Sequence, residues 1–151
     1  MTGGWPGFVV AAIAVAVLLV DNLRTHRLRD VLTLGGLMAT LTVTAAVSVL
    51  TASGQPLIGA LVGAAAMFAF GLAHEFTRPG MLGFGTVKAA ALVGAAAGGL
   101  GLHPWVSALG LMCAGYVALI KLAERRWTDM PTSPLLAAGL VGAVVSTLVV
   151  R

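Results

Sequence analysis

The chain has 151 residues, of which 59% are hydrophobic and only 9% are charged, and its mean hydropathy is +1.02. A soluble domain carries roughly 25% charged residues, so this composition excludes a solvated globular surface and indicates an integral membrane protein. The formal charge of +4 does not indicate a nucleic-acid partner, because the basic residues lie in short loops between apolar runs and form no continuous patch.

Six apolar runs follow one another along the chain, at about residues 7–22, 31–50, 56–74, 86–101, 105–122 and 133–150. They are apolar throughout and lack the alternation of a barrel strand, so each one predicts a transmembrane helix. Several are shorter than the roughly 20 residues of an ideal span, a difference that tilt or bilayer thinning can cover. No linker is long enough to separate domains. The sequence therefore predicts a single domain over residues 1–151, an all-α bundle of about six transmembrane helices.

The basic residues fall mainly on one side of this six-span arrangement. Eight of the nine Lys and Arg residues lie after span 1, around the start of span 4 or after span 5, and only Arg151 lies on the other side. The positive-inside rule makes the first side cytoplasmic and places both termini outside. Trp5 and Trp105 then fall at the outer interface and Trp127 at the inner one, as aromatic belts favour. We expect a multi-pass protein of the cell membrane, in contact with membrane lipids.

Two glycine pairs, Gly59 with Gly63 and Gly94 with Gly98, have the Gly-x-x-x-Gly spacing that lets helix backbones touch. Glycine and alanine are common throughout the chain, so general small-residue packing is the preferred interpretation. Association into a homo-oligomer is the alternative.

Three stretches on the predicted cytoplasmic face hold nearly all the polar chemistry. They are DNLRTHRLRDVLTLGG at residues 21–36, HEFTRPGMLGFGTVK at 74–88 and KLAERRWTDMPTSPLLAAG at 121–139. By composition alone they are basic loops that anchor a bundle, with proline and glycine at turns.

The order of residues in these stretches resembles the type IV prepilin peptidases, a family of membrane aspartic proteases. LRTHRLRDVLTLGG is similar to the family's segment after span 1, and Asp30 is retained there. GMLGFGTVKAAALVGAAAG is similar to the family's Gly-x-Gly-Asp-x-Lys motif and the small-residue helix behind it. Gly83, Gly85 and Lys88 match that motif.

A third segment, MPTSPLLAAGLVG, is similar to the family's last motif, in which Pro131 and Pro134 match Pro-x-x-Pro. The three segments stand in the family's order and cover most of the chain. The chain thus resembles the short, peptidase-only forms, which lack the amino-terminal methyltransferase part.

The resemblance implies an aspartic endopeptidase that cleaves prepilin leader peptides at the cytoplasmic membrane face, with one aspartate as general base and another as general acid. In this chain Asn22 and Thr86 stand at the two aspartate positions. Neither an amide nor a threonine hydroxyl titrates near neutral pH, so neither replaces a carboxylate. We therefore predict a pseudopeptidase or accessory protein. It would bind a prepilin or pilin-like hydrophobic helix, or assist a partner peptidase.

The segment GFGTVK can still serve the fold without its carboxylate. The glycines allow a tight turn into helix 4, Thr86 can cap that helix, and Lys88 can extend to the lipid headgroups.

One alternative is an active aspartic endopeptidase that uses Asp21 with a displaced partner such as Glu75. A shift of one residue turns a helical side chain by about 100°, which aims Asp21 away from the expected direction. An interfacial ion pair of Asp21 with Arg24 or Arg27 is the preferred interpretation.

The remaining alternatives have weaker support in the sequence. His26 and His74 have no clear third ligand beside them, so we expect neither a metal site nor another cofactor. A small transporter or channel subunit would carry ionisable residues deep in several spans. The span centres hold none apart from Cys113, which counts against an ion path but leaves an apolar cargo open.

Overall fold

The computed structural model describes residues 4–25, 30–77, 83–126 and 133–149. These ranges hold six α-helices and no strand: α1 (Trp5–Thr25), α2 (Asp30–Leu50), α3 (Gln55–Thr77), α4 (Gly83–Leu100), α5 (Leu102–Arg126) and α6 (Ser133–Val149). Each helix overlaps one of the six predicted apolar runs. The all-α fold class is confirmed.

Four helices, α1 to α4, are long and apolar enough to cross a membrane. In α6 a shorter apolar segment, Ala138–Val149, is described. The predicted membrane character is thus supported by the length and composition of these helices. A count of six spans stays a prediction.

Glycine stands at two helix boundaries where the backbone has a positive φ. Gly83 begins α4 with φ of +71°, and Gly101 joins α4 to α5 with φ of +128°. L-residues with side chains rarely adopt such angles, so glycine is favoured at both positions. Pro104 lies in the first turn of α5, where the lack of an N–H costs no intrahelical hydrogen bond.

Helix α4 is the centre of the bundle and packs against all five other helices. Twelve of its 18 residues are buried, and most of these are alanine or glycine. A helix that is apolar all round is typical of a buried position, and small side chains allow neighbouring backbones to come close. The larger core side chains around it include Leu18, Met67 and Leu136.

Helix α2 buries four hydroxyl-bearing residues and exposes several large apolar side chains. The buried residues are Thr33, Thr40, Thr44 and Ser48, whereas Val31, Met38 and Val49 are exposed. The hydroxyls of Thr40 and Thr44 donate to carbonyl oxygens four residues earlier, each at 2.8 Å. Such bonds satisfy a hydroxyl inside its own helix. This inverted pattern fits a helix whose outer face meets lipid rather than water.

Helices α3 and α4 run antiparallel and touch at their glycines. A Cβ at Gly59 would overlap the carbonyl of Gly98, and a Cβ at Gly63 would overlap the carbonyl of Gly94. Further along, a Cβ at Gly71 would lie 3.1 Å from Val87. The two Gly-x-x-x-Gly pairs therefore face each other within one chain, and the small-residue packing interpretation is confirmed at this interface.

Candidate functional site

One end of the bundle gathers most of the residues that the sequence singled out. It is the end where α1 and α3 finish and where α2 and α4 begin. Four buried polar side chains lie there, each on a different helix: Asn22, Thr33, Glu75 and Thr86, with exposed fractions of 4%, 1%, 9% and 6%. We call this region the polar end. Because α4 packs against α1, α2 and α3, the four residues lie at the same end of one packed group of helices.

Asn22 and Thr86, the two residues at the family's aspartate positions, both lie at the polar end. Asn22 is in the last turn of α1, Thr86 is in the first turn of α4, and these two helices pack together. Both side chains are buried. An amide and a hydroxyl in these places can donate and accept hydrogen bonds, but they cannot exchange a proton as a carboxyl pair does.

The prediction that Thr86 caps α4 is wrong, because another residue has this role. The helix begins at Gly83, three residues before Thr86, so Thr86 lies inside the first turn rather than before it. The carboxylate of Glu75 accepts a hydrogen bond from the N–H of Gly83, with 3.2 Å between Oε2 and N. The first N–H groups of a helix have no partner within it, and negative charge is favoured there. The last turn of α3 thus supplies the acceptor at the start of α4.

Lys88 pairs with Asp30, a contact that was not predicted from the sequence. Its Nζ lies 2.7 Å from Oδ2 of Asp30, the first residue of α2. The two side chains are 31% and 58% exposed, so solvent weakens the attraction and the pair contributes about 0–1 kcal/mol. The pair nonetheless joins two of the segments that carry the family resemblance, because it links α2 to α4.

The two acids of the alternative catalytic pair also lie at the polar end. Asp21 is half-buried in the last turn of α1, and Glu75 is buried at the end of α3. Within the described residues α1 and α3 make no direct helix contact, whereas both pack against α2 and α4. The Asp21–Glu75 dyad stays an untested alternative.

The other predicted site residues are less closely tied to this region. Gly85 lies in the first turn of α4 and is half-buried. Pro134 lies in the first turn of α6, although its side-chain surroundings are outside the description, and Pro131, His26 and Trp127 lie outside the described residues. In the part of the chain that the structure describes, no group of three His, Cys, Asp or Glu side chains could hold a metal ion.

Thr33 belongs to the polar end but was not predicted from the sequence. It is the most buried residue of the polar end, and it shares one face of α2 with Thr40, Thr44 and Ser48. The spacing of these hydroxyls, at intervals of seven, four and four residues, matches one face of a helix. That periodicity is visible in the sequence and could have identified the inward face of α2.

Comparison of the chain with protein-family models, with curated proteins and with solved structures found no match. The resemblance to prepilin peptidases therefore depends on the three quoted segments alone.

Proposed function

We propose that this chain is a prepilin-peptidase-like membrane protein that has lost its catalytic carboxyl pair and now acts as a pseudopeptidase or accessory protein. The observation that carries the proposal is the common location of Asn22 and Thr86. Both are buried at the polar end, on helices that pack together. The two places where the family's acids would stand are thus on adjacent helices at one end of the bundle, and they hold an amide and a hydroxyl.

The retained parts of the motif have structural roles that do not need catalysis. Gly83 supplies the positive φ at the start of α4, and its N–H binds the carboxylate of Glu75. Lys88 pairs with Asp30. These contacts offer a physical reason for a chain to keep the glycines and the lysine of the motif after the aspartate is gone.

The proposed ligand is a prepilin or pilin-like hydrophobic helix, and the alternative partner is a working peptidase. In this proposal all six helices cross the cell membrane, both termini are outside, and the polar end faces the cytoplasm. The distribution of Lys and Arg along the chain supports that orientation.

Cleavage assays on prepilins test the loss of catalysis. The unaltered protein, purified in detergent, should bind a prepilin but leave its leader peptide intact, since neither Asn22 nor Thr86 can transfer the protons of hydrolysis. The double variant Asn22→Asp plus Thr86→Asp should gain cleavage, whereas each single variant should stay inactive for want of a partner acid. Gel mobility and mass spectrometry of the product report cleavage. Cleavage by the unaltered chain would contradict the proposal.

An active endopeptidase is the second candidate, because a buried acid, Glu75, contacts the backbone of the Gly-x-Gly turn. If the unaltered chain cleaves prepilins, Asp21→Asn and Glu75→Gln should each abolish the activity while the protein stays folded. Cleavage that survives either change rules out this pair.

A further inference from the structure

An open groove lies at the end of the bundle away from the polar end. It encloses about 660 Å³ between α3 and α5. One wall is α3 from Gly59 to Ala66, the other is the start of α5 with Trp105, and the floor includes Gly98 and Gly99 of α4. None of the residues that line it is charged.

The groove exists because α3 lies very close to α4 but barely touches α5. The close contact at Gly59 and Gly63 leaves no room for larger residues there. The indole of Trp105 lines one side of the groove, and its Nε1 donates a hydrogen bond to the carbonyl oxygen of Gly63 at 3.4 Å. The space between the two walls is therefore a consequence of the packing and not of a missing side chain.

The groove has the length and polarity of one membrane leaflet. Its lining on α3 runs from Gln55 to Ala66, which is about 16 Å at a rise of 1.5 Å per residue. Half of the hydrocarbon core of a bilayer is about 15 Å thick. Thr51, Ser53 and Gln55 form a neutral polar rim at one end, and apolar side chains and glycines line the interior.

We propose that this groove binds one acyl chain of a membrane lipid, with the ester and headgroup region of that lipid at the polar rim. The proposal depends on the membrane placement proposed above but not on any peptidase-like role. A partner helix that crosses the membrane would follow the full hydrocarbon thickness, about 30 Å, whereas the groove ends near half that length. Water is disfavoured along an apolar lining with few hydrogen-bonding partners.

Retention of lipid by the purified full chain tests the proposal. Native mass spectrometry with added phosphatidylethanolamine should detect one lipid per chain that resists removal by detergent. Val62→Phe and Ala66→Leu each fill the groove and should lower its occupancy at least about tenfold, which corresponds to about 1.4 kcal/mol of binding free energy. Leu61→Phe is the matched control, because Leu61 is exposed on the same helix but does not line the groove.

A change of lipid headgroup distinguishes recognition of the acyl chain from recognition of the headgroup charge. Phosphatidylglycerol should be retained as well as phosphatidylethanolamine, because the lining has no charged side chain. Equal retention by the filled variants and the control, or retention of the anionic lipid alone, would overturn the proposal. Binding of a prepilin helix to the unaltered protein but not to Val62→Phe would also overturn it, since the groove would then be a protein-binding site.

Two further outcomes concern the other proposals. Recovery of the protein in water without detergent would refute the membrane placement itself. Failure to bind prepilins, with lipid retained, would refute only the peptidase-like role.

Discussion

Glu75 is a buried acid with a structural task at the start of α4. A buried carboxylate is costly unless it is hydrogen-bonded, and a backbone N–H at a helix N-terminus is a favourable donor because both the bond and the helix dipole stabilise negative charge. Its hydrogen bond to Gly83 therefore stabilises both the acid and the helix. Asn22, Thr33 and Thr86 are buried in the same region without carrying charge.

Removal of the Glu75 side chain should destabilise the protein. Glu75→Ala leaves the N–H of Gly83 without this acceptor and should lower the free energy of unfolding by about 1–3 kcal/mol. Glu75→Gln should cost less, because an amide oxygen still accepts the bond. Thr77→Ser is the control, since Thr77 is exposed at the end of the same helix and serine keeps the hydroxyl that donates to the carbonyl oxygen of His74, and it should change stability by less than about 0.5 kcal/mol. Reversible unfolding in mixed micelles measures the differences. Equal stability of the alanine variant and the unaltered protein would contradict the capping role.

At the scale of helices, the antiparallel contact of α3 with α4 organises the bundle. Glycines bring the two backbones together in the half of this contact away from the polar end. At the polar end itself, the Glu75–Gly83 hydrogen bond joins the two helices. The same contact leaves the groove beside α5. One helix interface thus contributes to both the polar end and the groove.

Alanine substitutions should distinguish the glycines of this contact from glycines on the exposed surface of the bundle. Gly63→Ala places a Cβ against the carbonyl of Gly94 and should destabilise the protein by about 1–3 kcal/mol, as overpacking does. Gly35→Ala and Gly110→Ala are matched controls, because a Cβ at either position meets nothing within 4 Å. They should be neutral or stabilising by up to about 1 kcal/mol, the usual gain of alanine over glycine in a helix. Unfolding in micelles can rank the three variants. A Gly63→Ala variant as stable as the controls would contradict the close approach.

At the scale of the whole molecule, apolar side chains cover the outer surface of the described helices. On α1 they form a stripe of exposed residues, Val9, Ile13, Val17 and Val20. In water such a surface would be a liability for aggregation, whereas in a bilayer it meets lipid at no cost. The buried hydroxyls of α2 and the central position of the Ala/Gly helix α4 fit the same environment.

The proposed orientation can be tested with single cysteines in a Cys113→Ala background. Thr51→Cys places an exposed thiol a few residues before α3, and Thr77→Cys places one at the last residue of α3. A membrane-impermeant maleimide should label Thr51→Cys in intact cells and Thr77→Cys only after permeabilisation, because the Lys- and Arg-rich side is proposed to be cytoplasmic. Protein with Cys113 as its sole thiol is the control, and it should resist labelling if α5 also crosses the membrane as proposed. The reverse pattern would invert the topology, and labelling of both sites in intact cells would argue against a spanning α3.

Hydropathy along the chain was enough to predict the helices, because a long apolar run without strand-like alternation can satisfy its backbone in lipid only as a helix. It also indicated the residues of the polar end, since they lie at the ends of those runs. The contacts between these residues, by contrast, are visible only in the folded chain. The partner of Gly83 is Glu75 of α3, eight residues away, and the partner of Lys88 is Asp30 of α2, 58 residues away. Such contacts depend on the relative register and rotation of neighbouring helices. The match of glycines across α3 and α4 sets that register, and hydropathy along one chain segment does not contain it.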